Sequence, residues 1–124
     1  MRRAYDRAFS PPAPMIPVRV RAHDAHAGWS LTGKLDSGAD LCGLPRDLLK
    51  RASLPPLRAV RATGFTGDVT EVLLYRVDLE IDGTWIDEVE CIATRRPYVI
   101  VGRNALAAYV LRLDGPRERL HLRR

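Results

Sequence analysis

The acidic residues in the segment Leu35-Asp36-Ser37-Gly38-Ala39-Asp40 are the first candidates for chemistry in this chain. Asp36 directly follows an apolar stretch and stands at a turn that Gly38 favours, which places its carboxyl group at the end of a predicted strand. A carboxyl group held in this way can act as a general acid or base. Asp, Ser and Gly are also common turn residues, so this segment alone predicts only a loop.

A second segment, Tyr98-Val99-Ile100-Val101-Gly102-Arg103-Asn104-Ala105-Leu106, is an apolar strand that runs into Gly-Arg-Asn and a short helix. With the first segment before it, the chain resembles the retropepsin-like aspartic proteases, which have Asp-Thr/Ser-Gly-Ala after an apolar residue and later Gly-Arg-Asp/Asn after an apolar strand. The resemblance covers about residues 17–122, and the helix predicted near 45–52 is typical of the bacterial and cellular branch. It implies an all-β fold, a closed β-barrel with short helices that is one half of an acid protease and assembles as a two-fold dimer.

The resemblance also implies roles for individual residues. Asp36 matches the catalytic aspartate, and Asp40 matches an acidic position that binds the substrate backbone and pairs with Arg103. A buried ion pair that only holds the fold is an alternative role for Asp40 and Arg103. Three residues match the framework of the site: Ser37, Gly38 and Ala39. Three match its structural support: Gly102, Arg103 and Asn104.

A turn with glycine at both ends matches the tip of the family's flap, a hairpin that closes over substrate and excludes water. The four residues of this turn are expected to bind substrate: Gly64, Phe65, Thr66 and Gly67.

The number of carboxyl groups predicts the assembly. Hydrolysis of a peptide by carboxyl groups alone needs two of them sharing one proton, one as base for water and one as acid for the carbonyl oxygen. The chain has a single Asp-Ser-Gly, at Asp36, so the site must form between two copies across a two-fold axis. We therefore predict a homodimeric aspartic endopeptidase that acts on peptide or protein substrates and uses no metal or other cofactor.

Period-two alternation and turn residues predict many short strands and little helix. The predicted strands are at 17–22, 29–36, 57–63, 69–81, 84–93, 98–101, 110–114 and 117–122, and the predicted helices are at 45–52 and 103–108. Residues 1–16 are predicted to be a flexible, proline-rich leader, and residues 17–124 to be the protease domain.

Composition favours one folded domain, because 46% of the 124 residues are hydrophobic and 28% are charged. The net charge is +5, but the 18 arginines are scattered among acidic residues and aromatic residues are few, so we expect no nucleic-acid partner. No apolar stretch is long enough to span a membrane, and no apolar core of a signal peptide follows the first arginines, so we expect a cytoplasmic protein with no membrane partner. Cys42 and Cys91 are expected to be buried thiols, and a disulfide between them is the alternative that the sequence also allows.

The sequence also permits two other functional hypotheses. The first is a catalytically quiet module of the same fold that binds peptides or dimerises, because a fold does not decide a function. The second is a basic nucleic-acid-binding β domain, which would bind in a strongly salt-dependent manner. A metal site at His23, Asp24 and His26 is disfavoured, since three residues within one predicted turn make a poor set of ligands.

Overall fold

Strands make up about half of the chain. The computed structural model describes residues 1–124, in ten strands and two short helices. In chain order these are β1 (Arg2–Ala4), β2 (Met15–Arg21), β3 (Trp29–Leu35), β4 (Cys42–Pro45), α1 (Arg46–Arg51), β5 (Arg58–Thr63), β6 (Val69–Ile81), β7 (Thr84–Thr94), β8 (Val99–Val101), α2 (Arg103–Leu106), β9 (Val110–Asp114) and β10 (Arg119–Arg123). Neither helix has the length and apolar character needed to cross a membrane.

Six strands form a closed barrel in the order β2-β3-β8-β4-β7-β6, and β6 pairs with β2 to complete the ring. β3 runs parallel to β8 and β4 runs parallel to β7, whereas the other neighbours are antiparallel. β5 pairs only with β6 and lies outside the ring. The structure thus confirms the predicted all-β class and closed barrel.

The interior of the barrel is filled by aliphatic side chains that alternate along the strands. In β2, Ile16, Val18 and Val20 are buried, whereas Pro17 and Arg19 face outward. This is the period of two that a pleated strand imposes on its side chains. Each fully buried side chain of this size contributes about 1.5–3 kcal/mol, so the alternation fixes which face of each strand turns inward.

A separate three-stranded sheet joins the two ends of the chain in the order β1-β10-β9. The sequence predicts a flexible leader over residues 1–16, and the structure differs there. β1 pairs with β10, Asp6 forms a bridge with Ala13, and the side chains of Ala13 and Met15 are buried. The prolines of this segment exclude a helix but permit an extended chain, whose apolar residues reach the core.

Two shorter elements also differ from the sequence prediction. β4 was not expected, because four residues ending in Pro45 carry too little alternation to indicate a strand; all four are buried between β7 and β8. α2 ends at Leu106 instead of near residue 108, since the chain turns there to enter β9. Cys42 and Cys91 are free and buried, as predicted, and lie opposite each other in the β4–β7 pair.

Asp78 in β6 is the one charged residue that is fully buried. Its carboxylate accepts hydrogen bonds from Arg21 Nε at 3.0 Å and from the backbone N–H groups of Asp24 and Glu88, each at 3.0 Å. His23 Nδ1 lies 2.9 Å from the same group. Asp78 therefore joins three parts of the barrel: β6, β7 and the end of β2 with the turn after it.

These contacts decide the protonation of the cluster. Burial alone would raise the pKa of Asp78, but the Glu88 N–H, His23, the Asp24 N–H and Arg21 outweigh it and lower the pKa to about 2. The hydrogen bond with Asp78 in turn raises the pKa of His23. The stabilising effect of Asp78 is present above its unfolded pKa of about 4 and is lost as the pH falls toward 2. That of His23 is present at low pH and is lost as the pH rises through its folded pKa.

Replacing Asp78 with Asn should lower the free energy of unfolding at neutral pH by about 3 kcal/mol or more, because the Arg21 guanidinium loses its counter-charge. Urea denaturation measures the free energy of unfolding. Glu71→Gln is the control, since Glu71 is an exposed acid on the same strand; it should change the free energy of unfolding by less than about 0.5 kcal/mol. The difference between wild type and Asp78→Asn should shrink between about pH 4 and pH 2, where the wild-type carboxylate becomes protonated. A difference in the free energy of unfolding that stays constant over this range would contradict the lowered pKa of Asp78.

Candidate active site

The parallel pairing of β3 with β8 brings the two sequence segments together. Leu35 is opposite Val101 in this pair, so both strands end at the same edge of the barrel. The Asp36 N–H donates to the Val101 carbonyl at 3.0 Å, which continues the ladder by one residue. The chain then leaves β3 through the Asp-Ser-Gly turn and leaves β8 through Gly102, and the two exits lie side by side.

The carboxyl group of Asp36 is oriented by its own turn. The Gly38 N–H donates to Asp36 Oδ1 at 3.0 Å, and the Ala39 N–H donates to the Asp36 carbonyl at 3.2 Å. Asp36 is half-buried, whereas Ser37 and Gly38 are exposed. One carboxylate oxygen is therefore held by a backbone donor, and the residues next to it are free to meet another molecule.

Gly102 lies very close to the backbone that follows the Asp36 loop. A side-chain carbon added at Gly102 would lie 2.4 Å from the carbonyl oxygen of Leu41 and 3.0 Å from the backbone nitrogen of Cys42. Its φ is −83°, so the position needs glycine for space and not for an unusual backbone conformation. Beyond Gly102 the Arg103 N–H donates to the Ala39 carbonyl at 2.8 Å. The Asp36 loop is therefore packed directly on the start of α2.

Asn104 fixes α2 to the strands on either side. Its Oδ1 accepts the Cys42 N–H at 3.0 Å, and its Nδ2 donates to the Glu90 carbonyl at 2.9 Å. The sulfur of Cys42 accepts the Gly102 N–H at 3.4 Å. The interaction between the two neighbouring thiols lowers the pKa of Cys42 and raises that of Cys91. The sequence predicts Cys42 only as a buried thiol, and its nearness to Asp36 is the one local signal for a supporting role at this junction.

Asp40 and Arg103 form the expected ion pair, in which Arg103 Nη2 donates to Asp40 Oδ1. Both side chains are exposed, by 81% for Asp40 and 59% for Arg103. The alternative of a buried ion pair that holds the fold is therefore wrong for the single chain, since an exposed pair contributes at most about 1 kcal/mol. Arg103 Nη1 also donates to the Ser37 carbonyl at 3.5 Å, so Arg103 contacts two residues of the Asp36 loop.

The hairpin of β5 and β6 ends in the turn that resembles a flap tip. The Gly64 N–H donates to the Asp68 carbonyl at 2.8 Å, and Thr66 Oγ1 donates to the Asp68 carboxylate at 2.9 Å. Gly67 has a φ of +86°, a left-handed conformation in which glycine is favoured. The side chain of Phe65 is fully exposed. The tip is internally ordered and presents an aromatic ring to solvent.

The predicted site residues thus fall into two groups. Residues 36–40 and 102–104 form one hydrogen-bonded cluster at the edge of the barrel. Residues 64–67 lie on the separate hairpin and form no hydrogen bond with that cluster.

A metal site is not supported near His23. The possible ligand atoms that lie together are those of His23, Asp78 and Asp87. Of the other two residues considered from the sequence, Asp24 forms an ion-pair contact with His23 Nε2 at 3.2 Å. Both oxygens of Asp78 already accept hydrogen bonds, one of them from a guanidinium group. A cation would have to displace these donors and would lie beside a positive charge, so this donor set does not fit one.

Comparison with solved structures finds the same fold in aspartic proteases. A crystal structure of a retropepsin-like aspartic protease from Rickettsia conorii matches with a TM-score of 0.66 and 13% identity, over 98% of this chain and 88% of that one. The EIAV protease complexed with the inhibitor HBY-793 matches with a TM-score of 0.55 and 24% identity, over 77% of this chain and 86% of that one. The foamy viral protease-reverse transcriptase, solved with an RNA/DNA hybrid, matches with a TM-score of 0.59 and 20% identity.

That last match covers 82% of this chain but only 13% of the viral protein. No family model matches the sequence, and no curated protein matches it. The chain therefore has the retropepsin-like fold, as its two sequence segments predict.

Replacing Gly102 with Ala should lower the free energy of unfolding by about 1–3 kcal/mol, because the new methyl group meets backbone atoms that cannot move aside cheaply. Gly115→Ala is the control, since a methyl group there would meet nothing within 4 Å. Chemical denaturation of the two variants and the wild type measures the difference. Equal stabilities of the two variants would show that the close approach at Gly102 does not constrain the fold.

Proposed function

We propose that the chain is an aspartic endopeptidase that works as a homodimer, with Asp36 of each copy in one shared site. The observation that carries the proposal is the geometry at Asp36. Its carboxyl group is held by the Gly38 N–H at 3.0 Å, on a loop that is hydrogen-bonded to the Gly102-Arg103-Asn104 segment. This arrangement occurs in a retropepsin-like fold, at the edge of the barrel.

Two such carboxyl groups close together supply the chemistry. Like charges at short distance cannot both ionise, so the pair shares one proton. The ionised carboxyl takes a proton from water as it attacks the peptide carbonyl, and the protonated one gives its proton to the carbonyl oxygen. The carboxyl that took the proton from water then gives it to the leaving nitrogen, while the other carboxyl takes a proton from a hydroxyl of the tetrahedral intermediate, which collapses to a carboxylic acid and an amine. A single chain contributes one Asp36, so it holds half of this machinery.

The neighbours of Asp36 suit a site shared between copies. Ser37 and Gly38 are exposed in the single chain, next to the carboxyl group. We assign the Ser37 hydroxyl to a bond that braces the two loops, while Gly38 and Ala39 keep the loops close enough for the carboxyl groups to meet. No metal or cofactor enters this scheme.

Substrate is proposed to bind as an extended strand between the Asp36 loops and the flaps. Main-chain hydrogen bonds hold such a peptide, and pockets for its side chains set the preference. Asp40 provides an exposed carboxylate for the substrate backbone, and Arg103 orients it by the ion pair. The flap turn with Phe65 at its tip would cover the peptide and exclude water. We place this activity in the cytoplasm, where the buried thiols of the chain stay reduced.

Asp36→Asn should lower the rate at which a diverse peptide mixture is cleaved by a factor of about 10²–10⁴ or more, because the amide can neither take nor give the proton. The mixture is incubated from about pH 4 to pH 7, and the products are read by mass spectrometry. Asp87→Asn is the control, since Asp87 is an exposed acid on β7. The rate should also rise faster than linearly with protein concentration, as expected for a site made by two chains.

Cleavage that survives in Asp36→Asn would contradict the proposal and point to a contaminating protease. A folded, dimeric wild type that cuts no peptide but binds peptides would favour the catalytically quiet module instead.

Phe65→Ala should leave the free energy of unfolding within about 0.5 kcal/mol of wild type, because the ring is fully exposed in the free chain. It should lower kcat/KM by about tenfold or more, the factor expected if the ring is buried against substrate when the flap closes. Leu57→Ala, also an exposed apolar residue of the hairpin region, is the comparison. Unchanged kcat/KM in Phe65→Ala would remove this residue from the substrate-binding set.

A further inference from the structure

The outer face of the terminal sheet gathers arginines that are far apart in the sequence. In the register of β1, β10 and β9, Arg2 lies opposite His121, and His121 lies opposite Arg112. Arg119, two residues before His121, lies on the same face of β10. An open depression of about 460 Å³ lies on this face, and its polar lining is Arg2, Arg112, Arg117, Arg119, Asp114 and His121.

This basic depression is separate from the proposed catalytic site. The other face of the sheet is apolar: Leu120 and Leu122 of β10 are buried, and Leu113 and Leu111 lie opposite them in β9. Leu111 and Leu113 line a groove that also includes Ser37 of the Asp36 loop. The basic depression therefore lies on the face of the sheet that is turned away from that loop.

Most of the positive charge in the basic depression has no partner within the protein. Arg117 pairs with Asp114 at 3.1 Å, whereas Arg2, Arg112 and Arg119 form no ion pair. Four arginines and one aspartate in the lining leave a net charge of +3 when its histidine is neutral. The depression is thus a concentration of positive charge that the fold itself does not neutralise.

The strand register places three basic side chains in one row. The row of Arg2, His121 and Arg112 crosses three strands that lie about 4.8 Å apart. Partial burial, together with the positive charges of Arg2, the N-terminus, Arg123 and Arg112, lowers the pKa of His121. Like charges on directly opposite residues are destabilising. An anion in the depression would offset this repulsion.

From this charge and shape we propose that the basic depression binds an oligophosphate, a ligand with two or more linked phosphate groups. Guanidinium groups bind phosphate oxygens through paired N–H donors, which suits arginine more than lysine. A single phosphate monoester carries a charge of only about −1.5 to −2 at pH 7, so one group leaves part of the positive charge unmatched.

Two other polyanions fit the basic depression less well. Carboxylates on one face of an extended peptide are about 6.5 Å apart, so an acidic segment cannot concentrate its charge as linked phosphates do. Nucleic acids that bind to β-sheets stack their bases on aromatic rings, and no aromatic ring lines the depression. The observations therefore favour a small, densely charged ligand.

Isothermal titration calorimetry with sodium tripolyphosphate at low ionic strength tests the site. The wild type should bind at one site, and Arg112→Gln should raise Kd by about tenfold or more, because charge-assisted hydrogen bonds are lost. Arg61→Gln is the matched control, since Arg61 is an exposed arginine on β5 that also forms no ion pair. Its Kd should stay within about twofold of the wild-type value, because salt screens distant charges.

A folding defect can be separated from a loss of binding. Arg112→Gln removes one of the positive charges beside His121, so it should not lower the Tm of the ligand-free protein. Near-ultraviolet circular dichroism checks the tertiary structure of each variant.

The wild type alone provides a second test. Tripolyphosphate should raise the pKa of His121, measured by a proton NMR titration of the ring, because the bound anion offsets the positive charges around it. The ring signals of His26, which lies in the turn after β2, are the internal control and should not change.

Adenosine triphosphate identifies the source of the phosphates. Equal Kd values for adenosine triphosphate and tripolyphosphate would show that the phosphate chain alone is recognised. Tighter binding of adenosine triphosphate would assign the site to a nucleotide.

Three results would each overturn the proposal. The first is no binding of tripolyphosphate, including the case in which only duplex DNA or an acidic peptide binds. The second is equal weakening by Arg112→Gln and Arg61→Gln, which would indicate non-specific attraction. The third is a His121 titration that tripolyphosphate leaves unchanged. Asp36→Asn should bind tripolyphosphate as the wild type does, so the outcome is independent of the proposed protease activity.

Discussion

The close approach of Gly102 to the backbone of Leu41 and Cys42 is the constraint on which the rest of the structure depends. It lets β8 run parallel to β3 to the point where both strands end, so that the Asp36 loop lies directly on α2. Asn104 then uses both ends of its amide to hold the same junction to β4 and β7. The proposed function needs the Asp36 carboxyl in a fixed position, and backbone hydrogen bonds hold the loop that carries it.

A second constraint on the barrel is one buried charge. Asp78 connects β6 with the end of β2 and with β7, and its donors are backbone groups as well as side chains. The arrangement also holds Asp24 and Glu88 in left-handed conformations that are unfavourable for such residues. The carboxylate offsets this strain by satisfying their N–H groups. Closure of the ring thus depends on a polar contact within an otherwise aliphatic core.

The single chain combines rigid and open parts. The Asp36 loop and α2 are fixed by hydrogen bonds, whereas the β5–β6 hairpin, the Asp40–Arg103 pair and the outer edge of β9 face solvent. In the proposed function the hairpin and the ion pair meet substrate. Exposure of the Phe65 ring has a cost in water that contact with substrate would remove.

The sequence by itself determined the class of fold, the bounds of most strands and the two segments that meet at the site. Strand periodicity and turn residues are local signals, and Asp36-Ser37-Gly38 with Gly102-Arg103-Asn104 is an ordered pair of short motifs. Only the tertiary structure decided that residues 1–16 close the terminal sheet, that β4 is a strand and that Asp78 is the buried charge. These features depend on contacts between residues far apart in the chain, such as Met1 with Leu122 and Asp78 with Arg21. The tertiary structure also decided that the Asp40–Arg103 pair is exposed and that one edge of β9 is unpaired, because a local sequence pattern shows neither the burial of a residue nor the neighbours of a strand.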